Sequence, residues 1–142
     1  MDQDTMVNDR LESGRRLLEE LRGSGFEIAA SFWAKPSDEG NWFLYIASPV
    51  VVEQGQAMAH RLVYTMIQRM PELGIDPFEV RVVGLADSMS KAAIEFTRPK
   101  SGTGPFAVPN PRGIVRFGGS SFGGVSVDGA YIYPSLLPSM PA

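Results

Sequence analysis

At 142 residues the chain has the length of one domain, enough to bury about 70% of its unfolded surface without staples. It contains no cysteine, which excludes disulfides, cysteine-ligated zinc and thiolate-held clusters. A net charge of −3 argues against nucleic-acid binding over the whole surface and leaves room only for a local basic patch. No apolar run approaches the roughly 20 residues that span a bilayer. The opening MDQDTMVNDR is too acidic and polar to read as a secretory signal, so no membrane association and a cytoplasmic location are expected.

In chain order, the spacing of Met6, Leu11, Leu17, Leu18 and Leu21 predicts a helix over about Thr5 to Arg22. Arg15–Glu19 and Arg16–Glu20 are spaced for surface pairing along it. In FEIAASFWAK, Phe26, Ile28, Ala30 and Phe32 alternate with Glu27, Ala29, Ser31 and Trp33, the period of a strand. Pro36 to Gly40 supplies a turn, and WFLYIAS from Trp42 a second strand.

The stretch Ser48 to Pro71 reads as the central helix, its start delayed towards Glu53 by the β-branched run Val50 to Val52. Ala59, Leu62, Val63, Met66 and Met70 form its core face, and Arg61, Thr65, Gln68 and Arg69 its solvent face. Pro71 ends it. FEVRVVG is then a strand with Phe78, Val80 and Val82 on one face. Asp87 or Ser88 caps a short helix whose core face is Met89, Ala92, Ala93 and Phe96.

Arg98 to Pro111 reads as a long loop, and loops of that length are often functional. Beyond it, Ile114–Phe117, Gly124–Val127 and Ala130–Tyr133 are short strands, with Asp128-Gly129 as a two-residue hairpin turn. The tail has three prolines and no period. The expected organisation is a flexible N-terminus over 1–8, a single α+β domain over 9–133 and an extended Pro/Ser-rich tail over 134–142. Its sheet is mixed or mostly antiparallel, with two or three helices packed on one face, in the order α-β-β-α-β-α-β-β-β. The opposite face is open to solvent if the sheet is antiparallel.

Four candidate chemistries were weighed. Ser88-Met89-Ser90-Lys91 resembles the S-x-x-K nucleophile motif of penicillin-binding proteins and β-lactamases, and Lys100-Ser101-Gly102 their later K-[ST]-G. Those enzymes separate the two motifs widely in a much longer chain. Here Lys91 and Lys100 are only nine positions apart, and a helix cap with a solvated lysine explains the residues. His60, the single histidine, has no acid near it in sequence to orient it, and no metal site or cofactor is expected. Any two of the sixteen acids could meet as a catalytic pair, but Glu19-Glu20 and Asp38-Glu39 read as surface and turn residues.

The last candidate is a basic, glycine-rich segment. No acid occurs between Glu95 and Asp128, whereas Arg98, Lys100, Arg112 and Arg116 do. Gly118, Gly119, Ser120 and Ser121 open a run ending at Gly124 whose backbone N–H groups, with Arg112 and Arg116, could hold a phosphate or other ligand. The lysine, hydroxyl and helix of a true P-loop are absent, so a wide turn with positive φ angles is the simpler reading.

The functional expectation is a non-catalytic accessory or adaptor protein that contacts another protein. Its contacts are the 98–123 loop, with Arg98, Lys100, Phe106 and Phe122, and the tail, with Leu136 and Leu137. A homo-oligomer is an allowed variant. The alternative is a ligand- or nucleic-acid-binding module using Arg112, Arg116 and the Gly118–Gly124 turn.

Overall fold

A computed structural model describes residues 3–97, 115–117 and 121–133. Helix α1 (Gln3–Gly23) leads to strands β1 (Ala30–Pro36) and β2 (Phe43–Ala47). Helices α2 (Val50–Gln54) and α3 (Gln56–Arg69) follow, then two 3-10 turns at Pro71–Leu73 and Pro77–Glu79. Strand β3 (Val80–Val83), helix α4 (Ser88–Thr97) and strands β4 (Val115–Phe117), β5 (Ser121–Phe122) and β6 (Val125–Ile132) complete the chain order. This is an α+β domain on a mixed sheet of order β3-β2-β1-β6-β4, with β5 paired to β6. Only β2–β3 is parallel, and the α2–α3 segment supplies the crossover that a parallel pair requires.

Helices α1, α2 and α3 cover one face of the sheet, as the leucines of α1 and the stripe Ala59, Val63 and Ile67 of α3 pack on Trp33, Leu44, Ile46 and Val82. The other face is not bare. Met89 and Ala93 of α4, with Phe122 from the β5–β6 hairpin, bury Phe32, Ala34, Tyr45 and Ile132. A sheet covered on both sides explains why six of the seven β1 residues are buried rather than every second one. The alternation read from Phe26 to Phe32 therefore does not stay on one face. Phe26 and Ile28 precede the paired strand and join the α1–α3 side, whereas Ala30 and Phe32 face α4.

The central helix is two helices. Gly55 takes φ +96°, ψ 153°, an extended left-handed geometry that interrupts the helix one turn after Val50. Ser48 Oγ accepts the Val50 N–H at 3.0 Å and donates to the Glu27 carbonyl at 2.6 Å, tying the first turn to the segment before β1. Phe78 is not a strand residue. Asp76 and Glu79 form a capping box around the 3-10 turn Pro77–Glu79, which leaves the Phe78 ring 84% exposed. On α1, Arg15 pairs with Glu19 at 2.5 Å and with Glu12, but Arg16 reaches Glu72 at 3.7 Å rather than Glu20.

Asp128-Gly129 is not a hairpin turn either. It lies inside β6, where the register against β1 slips between Ala34↔Ala130 and Pro36↔Val127, so three steps on β6 oppose two on β1. The hairpin turn is Gly123-Gly124, with φ +62° and +84° between the paired residues Phe122 and Val125. Two positive φ angles in a two-residue loop are the requirement of a type I′ turn. Gly123 also has no room for a side chain, because a Cβ would stand 2.5 Å from the Ser88 carbonyl oxygen in the first turn of α4.

The three remote parts of the chain meet at Tyr133. Its hydroxyl accepts the Trp33 Nε1–H of β1 at 2.9 Å and donates to the Leu11 carbonyl of α1 at 2.6 Å. Gly14 lies directly over this hydroxyl, and a Cβ there would overlap it and stand 3.0 Å from Trp33 Nε1. Ordinarily Gly→Ala inside a helix gains up to about 1 kcal/mol. Here Gly14→Ala is expected to cost about 1–3 kcal/mol by overpacking, with most of that cost recovered in a Tyr133→Phe background, as chemical denaturation of the double-mutant cycle will show.

Burial pushes the Tyr133 phenol above the ordinary tyrosine range and outweighs the Trp33 hydrogen bond, which acts the other way. Burial raises Tyr45 likewise, against the opposing nearby charge and hydrogen bond of Arg81. Both phenols thus hold their protons more tightly when folded, so their stabilisation is complete below about pH 10 and falls as pH rises above it. Stability measured by denaturation across that range is expected to decline with pH, less steeply in Tyr133→Phe than in the parent chain.

Candidate functional site

Arg98, Lys100, Phe106, Arg112, Gly118, Gly119, Ser120, Leu136 and Leu137 lie outside the described residues. The backbone of Arg116 pairs with Tyr131 in the β4–β6 ladder, and exposed Ser121 sits opposite Ser126. Phe122, expected as an exposed partner anchor, is instead 1% exposed. Its ring packs edge-on against Phe32 at 5.2 Å, because the tight turn that follows folds β5 down onto α4. The described end of the glycine-rich run is thus spent on packing.

His60 has a structural task. Strand β3 is an edge, and in a parallel ladder alternate residues aim both backbone groups outwards. At Val82 these groups meet α3: Gln56 Nε2 donates to the Val82 carbonyl at 2.5 Å, and the Val82 N–H donates to His60 Nε2 at 3.4 Å. Nε2 is then the acceptor, so Nδ1 carries the proton and donates to the Gln56 carbonyl at 3.1 Å. The helix caps the sheet edge with two side chains, and neither was recognisable from sequence because Val82 is remote along the chain. In His60→Ala the Val82 amide is expected to exchange with deuterium faster than in the parent, while amides of central strand β1 keep their protection.

Beside the α4 face, Glu39 meets Arg81 through two hydrogen bonds at 2.7 and 3.0 Å. Arg81 also donates to Tyr45 Oη at 3.0 Å and lies 3.7 Å over the Phe43 ring. The guanidinium holds the Glu39 carboxyl below its ordinary range. Three of its donor contacts are thereby taken up within the chain. Across the α1 face, a cleft of about 190 Å³ between α1 and the 3-10 turns is lined by Arg10, which pairs with Glu79 at 2.7 Å and lies 5.8 Å from the Trp33 ring.

A second concavity is different in kind. A groove of about 410 Å³ runs between the C-terminal end of α1 and helices α2 and α3. Buried Leu21, Phe26 and Val50 contribute its apolar lining with Leu62 and Met66. Leu62 was expected in the core but is 40% exposed, because the buried stripe of α3 is Ala59, Val63 and Ile67. Leu62 and Met66 flank that stripe and reach into the groove. Arg61, Thr65 and Arg69, expected as plain solvent-facing residues, make its rim. Neither arginine has a hydrogen-bond or ion-pair partner among the described residues.

Among the described residues no group of three acidic or histidine side chains gathers to hold a metal, and no helix is long and apolar enough to cross a membrane. Comparison with protein-family models, with curated proteins and with solved structures finds no match for the chain.

Proposed function

We propose that the chain is a non-catalytic, cytoplasmic accessory protein that acts by contact with another protein, and that the groove between α1 and α3 is part of the contact surface. The observation that carries this reading is the groove itself, an apolar trough with two cations on its rim that have no partner among the described residues. Ligand and partner sites are typically concave and mostly apolar, with a few polar groups that fix orientation. Three of the four large apolar side chains left exposed in the described residues, Val52, Met58 and Leu62, belong to the same helical pair α2–α3. Exposed apolar side chains concentrated on one element suit a partner surface better than they suit solvent.

The non-catalytic part of the proposal draws on where the reactive groups are spent. The single histidine caps a strand edge, Arg81 and Glu39 hold each other, and Asp87 accepts the Met89 and Ser90 N–H groups at 3.0 and 3.3 Å as the α4 cap. Ser88 and Lys91 of the S-x-x-K resemblance are both exposed on that helix. The basic 98–123 loop and the 134–142 tail remain proposed contact regions alongside the groove.

Affinity capture from the native host tests the groove directly. Leu62→Asp places a carboxylate on an exposed position and is expected to leave far-UV circular dichroism unchanged. A protein held by the parent chain and lost from Leu62→Asp supports the proposal. An identical set held by both variants overturns the groove as the contact.

A further inference from the structure

Resting on the protein-contact reading above, we infer that the α1–α3 groove receives an acidic amphipathic helix of the partner. Arg61 and Arg69 are eight residues apart on α3, a rise of about 12 Å along its axis, with Thr65 midway on the same stripe. Each guanidinium can take its own carboxylate in a fork, so the rim accommodates two separated anions. Carboxylates two turns apart on a helix have that spacing.

Between the two arginines, Leu62 and Met66 stand one turn apart beside Leu21 and Phe26. That is the arrangement into which apolar anchors at i and i+4 of an incoming helix settle. Among the described residues no acidic side chain lines the groove, whereas the chain as a whole carries −3, so the groove is a positive site on an acidic protein. A second copy of this chain offers Glu12 and Glu20 at that spacing on α1, but its Glu12 is already held by Arg15, and a fatty acid brings one anion rather than two. The partner helix satisfies both requirements.

The test uses the full chain and two fluorescent synthetic helices of about 15 residues, near the length at which an isolated helix begins to hold in water. One carries leucines a turn apart and glutamates eight positions apart, as Arg61 and Arg69 are. The other replaces those glutamates with lysine. Fluorescence anisotropy is expected to show the glutamate helix bound about tenfold more tightly, two exposed ion pairs compounding, with the advantage shrinking between about 0.01 and 0.15 M salt. Arg61→Glu with Arg69→Glu is expected to reverse the preference.

Equal affinity for the two helices, or binding of neither, overturns the inference. So does native mass spectrometry that finds an acyl chain in the groove, or a homodimer that the double reversal dissociates. If Leu62→Asp abolishes capture in the host while the double reversal leaves it intact, the contact reading stands and the acidic helix falls. If neither variant changes capture, both fall.

Discussion

The hydroxyl of Tyr133 is the point at which the two ends of the fold are joined. It accepts from Trp33 in β1 and donates to a carbonyl inside α1, so the first helix, the first strand and the residue after the last strand share one buried oxygen. A buried hydroxyl is costly unless both its donor and acceptor capacities are met. Here they are met by groups 100 and 122 positions away in sequence. Gly14 is the steric half of the same device, since any side chain there would lift α1 from the sheet.

Once α1 is seated, the rest of that face follows. The α1 leucines and the inner stripe of α3 close over Trp33, Leu44 and Ile46, while α4 and the β5–β6 hairpin close the opposite side. A sheet buried on both faces leaves its edges as the exposed backbone, and exposed edges invite pairing with other chains. At β3 this is managed by Gln56 and His60, which offer side-chain partners to the outward groups of Val82. The single histidine is thereby bound to architecture.

That surface is divided in an informative way. Arg10 and Arg81 each have a carboxylate against them, and Arg15 has two. Arg61 and Arg69 have none within the described chain and flank apolar side chains that the core leaves half covered. An arginine kept next to an apolar trough retains its full capacity for a paired anion from outside, and a guanidinium is weakly hydrated enough to be recruited at modest cost.

Sequence alone determined the element types and their order, because helical and strand periods are local properties that survive without tertiary information. The α1 leucines, the alternation around Phe32, the stop at Pro71 and the Asp87 cap were all legible for that reason. What only the tertiary structure decided were the features set by competition between distant surfaces. The α3 apolar stripe is wider than the sheet can cover, so packing selected Ile67 for the core and left Leu62 at the groove. Asp128-Gly129 carries a turn's composition, but pairing of β6 across β1 stabilises a bulge there, and the turn fell to Gly123-Gly124, where α4 admits no side chain. His60 and Gln56 acquired their roles from a strand more than twenty residues away, through hydrogen bonds that no local pattern encodes. Local chemistry chose the pieces, and the demand to bury both sheet faces while pairing buried groups such as the Tyr133 hydroxyl chose their places.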